Sequence, residues 1–355
     1  MKVAIVGLPN AGKTTLFNAL TAASAETASY PFTTVGPNVA IVEVADERLA
    51  PVAAAAEASP LVPETIEFHD IAGLVRGASQ GEGLGNRFLA EIRETDAICH
   101  VVRAHADDSV PHPDGLINPV ADAEAVEAEL YLADLEQAER RLERVRKQAG
   151  SGQKELIAER EWLEQVVEVL GRGERARNVP VPLAAAQGPA NLQALTSKPM
   201  LYVANVDEGT DEPPAELAAH AGDSPCIAVS ARIEAELAEL PAEEAGEMRT
   251  ELGIDQSGLE RLVRAAYDLL DLITFFTAHL GAEARARALP QGATAWDAAG
   301  RVHGDIQAGF VRAEVIGWRE LVNAGGYAHA RERGVLRTEG RDYVVRDGDV
   351  ITIRH

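Results

Sequence analysis

Near the start of the chain, Gly7-Leu8-Pro9-Asn10-Ala11-Gly12-Lys13-Thr14 fits the pattern GxxxxGK[ST]. It lies between an apolar run, residues 2–6 (KVAIV), and a helical stretch from Thr14 to Ala22. A strand before and a helix after is the setting in which this pattern carries meaning. The glycines let successive backbone N–H groups turn inward around phosphate oxygens, and the new helix directs its positive end at the same spot. Lys13 is expected to reach the outer phosphates of a nucleoside triphosphate, and the Thr14 hydroxyl to ligate Mg2+. Asn10, Ala11, Gly12, Lys13, Thr14 and Thr15 are the candidate phosphate-binding residues.

Further strands are expected at Asn38–Val44, Thr65–Ile71, Ala97–Val102, Met200–Asn205 and Cys226–Ser230, with helical patterns between most of them. Such alternation predicts an α/β fold with a doubly wound, mostly parallel sheet. Asp70, in Asp70-Ile71-Ala72-Gly73, closes a strand and is placed to hold the metal's water shell. Gly73 offers a backbone N–H to the γ-phosphate. Thr33 and Thr34, in Tyr30-Pro31-Phe32-Thr33-Thr34, lie where a hydroxyl can swing onto Mg2+ when that phosphate is present, and Thr34 is the candidate ligand. Gly77, Gly81, Gly83 and Gly85 suit a second mobile switch.

A chain of 355 residues suggests two or three domains. Ala121–Lys147 is rich in Ala, Glu, Leu and Arg, with Leu132, Leu135, Leu142 and Val145 on one predicted helical stripe. Gly150-Ser151-Gly152 breaks it. Leu156–Leu170 resumes, with Leu163, Val166, Val167 and Leu170 on one side. The expected arrangement is an antiparallel helical hairpin, residues 121–195, inserted into a nucleotide domain of residues 1–120 and 196–271. The alternative is that these helices merely pack on the sheet. Residues 272–355 read as a small α+β module. Its strands are expected at Ile273–Thr277, Phe310–Ile316, Asp342–Val345 and Asp349–Ile353, and its helices at Ala295–His303 and Trp318–Ala324.

The formal charge of −23 makes the whole molecule repel nucleic acid. The last 84 residues are different, with 11 Arg, no Lys and 10 acidic residues, a net of +1 against −24 for the rest. No apolar run approaches the roughly 18–20 residues of a membrane helix, and the N-terminus reads as a strand, not a signal peptide. Cys99 and Cys226 fall in apolar runs and are expected to be buried free thiols, which suits a reducing cytosol. A cytoplasmic protein with no membrane partner is expected.

Taken together, GLPNAGKTTLFNAL, YPFTT, DIAGLVRGASQGEGLGNRFL, RETDAI, NVDE, RAEVI and DGDVI cover nearly the whole chain. They resemble the Obg group of translation-factor-type GTPases (TRAFAC class), and within it the YchF branch, the Obg-like ATPases. The resemblance implies a P-loop NTPase G domain, an inserted helical hairpin (coiled coil) and a C-terminal TGS domain. It also implies slow ATP hydrolysis, association with the ribosome at its large subunit, and RNA contact through the TGS domain.

The base-reading motif of ordinary GTPases is NKxD, whose Asp accepts two hydrogen bonds from guanine. Here the stretch is Asn205-Val206-Asp207-Glu208, with Glu208 at the Asp position and Val206 replacing the Lys. The residues alone argue for weakened guanine selectivity; the resemblance implies a preference for ATP. Ser230-Ala231 resembles the last base-contacting loop. After Gly73, many GTPases carry a Gln that orients water; this chain has Leu74. His112 aligns with a loop histidine proposed as catalytic in the family, between Pro111 and Pro113. Asn10 matches a position that helps bind K+ in related GTPases. Two other readings stay open at this level: a guanine-specific switch, and a metabolic phosphotransferase. The second requires a substrate pocket with a base near the γ-phosphate, for which the sequence shows no motif.

Overall fold

The computed structural model describes residues 1–27, 38–71, 84–106, 115, 117–149, 153–254 and 256–355. Within them, β1 (Lys2–Val6), β2 (Val39–Val44), β3 (Leu61–Val62), β4 (Glu64–Asp70), β5 (Ala97–Arg103), β6 (Met200–Asn205) and β7 (Cys226–Val229) come first. They are followed by β8 (Leu272–Thr277), β9 (Ala284–Pro290), β10 (Arg312–Gly317), β11 (Arg337–Glu339) and β12 (Asp349–Arg354). The chain divides into two compact units. Met1–Glu26 and Glu67–Ala266 belong to the first, Val42–Ile66 and Tyr267–His355 to the second.

The sheet of the first unit has the order β2-β4-β1-β5-β6-β7. β1 pairs in parallel with β4 and β5, β5 with β6, and β6 with β7. Val3, Ala4, Ile5 and Val6 are all buried, as are Leu201, Tyr202, Val203 and Ala204. Strands covered on both faces need apolar residues at every position, which is why these runs lack polar alternation. β1, β5 and β6 end at the same edge, with Val6 beside His100 and Arg103 beside Asn205. In open α/β sheets that carboxyl edge is where ligands bind.

The helices Pro119–Ala149 and Lys154–Gly171 form the insert. The first buries two successive arcs. Ala123, Val126, Leu130 and Ala133 join the core of the sheet; Ala138, Leu142 and Val145 pack with Trp162, Leu163, Val166 and Leu170. Leu132 lies off both arcs and is 43% exposed, so the expected stripe is corrected there. Between the arcs, the fully buried Asp134 carboxylate accepts from the backbone N–H of Leu195 (2.9 Å) and Thr196 (2.7 Å) and from the Thr196 hydroxyl (2.8 Å). Arg93 lies at 3.3 Å. Burial raises the Asp134 pKa, while these donors and the guanidinium oppose the rise.

In the second unit the sheet order is β11-β10-β12-β8-β9-β3. Its strands run antiparallel except for β12 with β8 and β3 with β9. The helix Leu49–Ala56 contributes Leu49, Val52, Ala53 and Ala56 to a core with Phe276, Ile316, Leu321 and Val350. Arg48 fixes this segment by pairing with Asp46 (2.7 Å) and Asp347 (2.5 Å). The strand expected at Asp342–Val345 is reduced to one bridge between Thr294 and Val344. Asp349 accounts for the difference. Its carboxylate takes the Tyr343 hydroxyl (2.8 Å) and the Arg346 N–H (2.9 Å), bending the segment into a turn.

Replacing Asp134 with Ala leaves three buried donors without their acceptor. The expected result is a loss on the order of 3 kcal/mol in urea unfolding, with Asp134→Asn losing less because one acceptor oxygen remains.

Candidate functional site

The loop after β1 has its conformation imposed by close neighbours. A Cβ on Gly7 would lie 2.3 Å from the Val101 carbonyl oxygen. A Cβ on Gly12 would lie 2.2 Å from Asn205 Nδ2, and Gly12 has φ +96°. Asn10 also adopts a left-handed φ of 65°, which Asn tolerates better than most residues. The helix Lys13–Thr27 then opens, with Leu16 N–H bonded to the Gly12 carbonyl at 2.9 Å.

Lys13 is buried, and its ammonium donates to the Leu8 carbonyl at 2.7 Å. Burial pushes its pKa down to about 8, against the attraction of Asp70. Asp70 closes β4 and is pushed up by burial, with Lys13 opposing. Lys13 is held away from water and Asp70 is half-buried, and each is compensated by the other's charge.

At the end of β6, Asn205 joins three segments. Its amide Nδ2 donates to the Ala11 carbonyl (3.0 Å) and its Oδ1 accepts from the Ala231 N–H (3.0 Å). The Asn205 carbonyl accepts from the Ala104 N–H (2.8 Å), and the Asp207 carboxylate accepts from the Ala106 N–H (3.2 Å). Ser230 precedes the helix Ala231–Ala238. Glu234 of that helix accepts from the Ser257 hydroxyl (2.8 Å) and from the Gly258 N–H (2.5 Å), which anchors the loop from behind.

These segments surround a cavity of about 840 Å3, a volume suited to a nucleotide. Asn10, Gly12, Lys13, Thr14, Thr15, Asn205, Val206, Glu208, Ser230 and Ala231 line it, as the sequence reading expects of a single site. Ala11 contributes the carbonyl that Asn205 grips. Val206 is only 4% exposed and packs mainly into the core beneath. Glu208 is exposed at the cavity. Sequence reasoning did not single out His105, Ala106, Asp207, Arg232 and Ile233 as lining residues. For His105 no local pattern marks the role, because the contact is made across the sheet edge. Thr33, Thr34, Gly73, Leu74 and His112 lie outside the described residues, as do Gly77, Gly81 and Gly83.

Thr14 lines the cavity, whereas Asp70 is not among its lining residues and is placed beside it only by its electrostatic interaction with Lys13; both offer hard oxygen donors of the kind Mg2+ accepts. Among the described residues no group of three or more His, Cys, Asp or Glu gathers to form an all-protein cage. The donor set fits an ion that keeps waters and takes the rest of its ligands from phosphate.

Comparison with known proteins gives consistent results. Residues 2–144 match a family model described as 50S ribosome-binding GTPase. Residues 272–355 match the model of the YchF GTPase C-terminal domain, described as a protein of unknown function. The chain is 47% identical to the ribosome-binding ATPase YchF of Bacillus subtilis, over 99% of this chain and 98% of that protein. It is 46% identical to the ribosome-binding ATPase YchF of Escherichia coli O157:H7, with the same coverage. Among solved structures it is similar to the Schizosaccharomyces pombe YchF GTPase, with a TM-score of 0.87 and 32% identity, covering 100% of this chain and 97% of that one.

The depressed Lys13 pKa has two measurable consequences. The unfolded chain holds that proton more tightly than the fold does. The Lys13 contribution to stability therefore improves as pH rises from about 8 toward 10.5, and Lys13→Met flattens that part of the stability profile. A bound triphosphate favours the ammonium, so nucleotide binding at pH 9 is expected to take up most of one proton. Calorimetry in buffers of different ionisation enthalpy measures it.

Proposed function

The chain belongs to the YchF family, and from that premise we propose that it is a ribosome-associated switch that binds ATP in preference to GTP and slowly hydrolyses it to ADP and phosphate. The observation that carries this reading is the single cavity in which Asn205 ties the phosphate loop to the base-side loops, with Glu208 where a guanine-specific site has Asp. The names of the bacterial relatives, ribosome-binding ATPases, support it.

In this reading the amides of Asn10–Thr15 hold the phosphates, and Lys13 exchanges its bond to the Leu8 carbonyl for phosphate oxygens. Thr14, Asp70 and Thr34 would hold Mg2+, which when bound supplies positive charge between the phosphates. The Gly73 N–H binds the γ-phosphate. Leu74 cannot orient water, so turnover is slow and His112 takes that role. Asn10 assists K+ at the phosphates. Large-subunit binding follows the description of the matched N-terminal family model. The arginine-bearing C-terminal module, with Arg312, Arg331 and Arg333, contacts RNA phosphates. No helix among the described residues is long and apolar enough to cross a membrane, and the protein acts in the cytoplasm.

The second reading, a guanine-specific switch, draws on the GTPase wording of the fungal structure and of the N-terminal family model. Glu208→Asp separates the two. It shortens the arm without disturbing Val206, which is buried and would resist conversion to Lys. The expected outcome is a shift toward GTP of roughly 10-fold in the ratio of calorimetric affinities; an unchanged ratio removes Glu208 from base selection. His112→Ala is expected to slow phosphate release while ATP binding persists. Sedimentation with ribosomes should depend on whether ATP, a non-hydrolysable analogue, ADP or no nucleotide is present.

A further inference from the structure

We propose that Arg285, Arg287 and Arg301 form a second anion site, one that takes the terminal phosphate or diphosphate group of a small phosphorylated ligand. All three residues lie within the second unit.

The strand places two of them. β9 alternates Ala and Arg from Ala284 to Ala288. Ala284 and Ala286 enter one core with Phe276, so Arg285 and Arg287 stand on the opposite face of the sheet. The register sets Arg287 beside Phe275 of β8 and Arg285 beside Thr277. Phe275 packs with Ala295, Ala298 and Ala299 of the helix Ala295–Val302, which covers that face. Arg301 belongs to the last turn of the same helix, and its carbonyl accepts from Arg287 Nη1 at 3.1 Å. A strand and a helix end thus bring three guanidinium groups together.

Their charge is only partly met by the fold. Glu283 pairs with Arg285 at 3.0 Å. Glu64 lies 3.8 Å from Arg301, but its two oxygens already accept the Thr65 and Ala288 N–H groups, at 3.0 and 2.5 Å. Arg287 is half-buried, and among the described residues its Nε is a buried donor with no hydrogen-bond partner. Burial lowers the Arg287 pKa, and Arg285 and Arg301 lower it further, while Glu283 and Glu64 oppose. An anion at Arg287 relieves both the repulsion and the unused donor. Phosphate suits the position because a guanidinium presents a planar fork of N–H groups that matches two phosphate oxygens. The carboxylates beside Arg285 and Arg301 repel an extended polyanion running past the cluster, which favours a compact dianion centred on Arg287.

The test titrates inorganic pyrophosphate into full-length protein whose phosphate loop is disabled by Lys13→Ala, followed by calorimetry. The probe is expected to bind this protein, and adding Arg287→Gln to weaken it by roughly 10-fold. Arg287→Lys keeps the charge without the fork and should fall between the two. Glu283→Gln releases Arg285 and should strengthen binding, a gain that a misfolded variant does not produce. Pyrophosphate binding that requires Lys13 overturns the proposal, since the phosphate loop then accounts for all of it. Binding that is unchanged in Arg287→Gln and in Glu283→Gln overturns it as well. A single-stranded RNA oligonucleotide is titrated in parallel. If RNA binds through Arg287 and pyrophosphate does not, the cluster is a contact for a nucleic-acid backbone and the small-ligand site is rejected.

Discussion

The side chain of Asn205 holds the site together. One amide group bonds forward to the Ala11 carbonyl in the phosphate loop and sideways to the Ala231 N–H at the head of the next helix. Both bonds are buried, so neither partner can fall back on water. The same amide occupies the volume that a Cβ on Gly12 would need. At Gly12 the phosphate loop is shaped by Asn205 standing against it, and that glycine is required as much by this neighbour as by its positive φ. A residue that looks in sequence like part of base recognition acts here as a strut between the two ends of the cavity.

Around that strut, electrostatics leaves the site prepared for an anion. Lys13 is desolvated and bonded to a carbonyl, a weaker partner than phosphate, and its pKa falls to about 8. Asp70 is desolvated in the opposite sense. A phosphate chain binding at Lys13 would bring negative charge that opposes the Lys13 shift, and in the proposed reading a Mg2+ held by Asp70 would oppose the other. The free energy spent in burying the two groups during folding is in part returned on binding, the sense in which the site is organised in advance.

Local patterns made some of this legible. The phosphate loop is contiguous and its spacing is specific, and β1, β5 and β6 are apolar at successive positions because they are covered on both faces. What escaped is non-local or disguised. β9 reads Ala-Arg-Ala-Arg-Ala, which resembles a helix by propensity; its strand character comes from pairing with β8 and from burying Ala284 and Ala286 in one core. Residues 42–66 fold with the C-terminal unit through partners such as Asp347, almost the whole chain away. Asp134 is one acid among many in a Glu-rich helix, and only its three donors distinguish it. His105 carries no motif, since it reaches the cavity where two neighbouring strands end together.

β6 shows why these scattered residues act as a set. Three positions before Asn205, the Tyr202 hydroxyl donates to Glu127 of the helical insert at 2.5 Å and accepts from Arg175 at 3.1 Å. His220 lies 3.0 Å from the same carboxylate. His100 on β5 sits beside the Tyr202 ring, 5.5 Å between centroids, and burial pushes its pKa down to about 4 although Glu127 pulls it up. A buried carboxylate beside a half-buried guanidinium is tolerable only while each keeps its partners, because either one alone leaves an uncompensated charge. The strand that ends in the Asn205 strut is therefore also the strand on which the insert is seated. Its apolar residues could be exchanged for others of similar volume, whereas Tyr202 and Asn205 are fixed by what their polar atoms must reach.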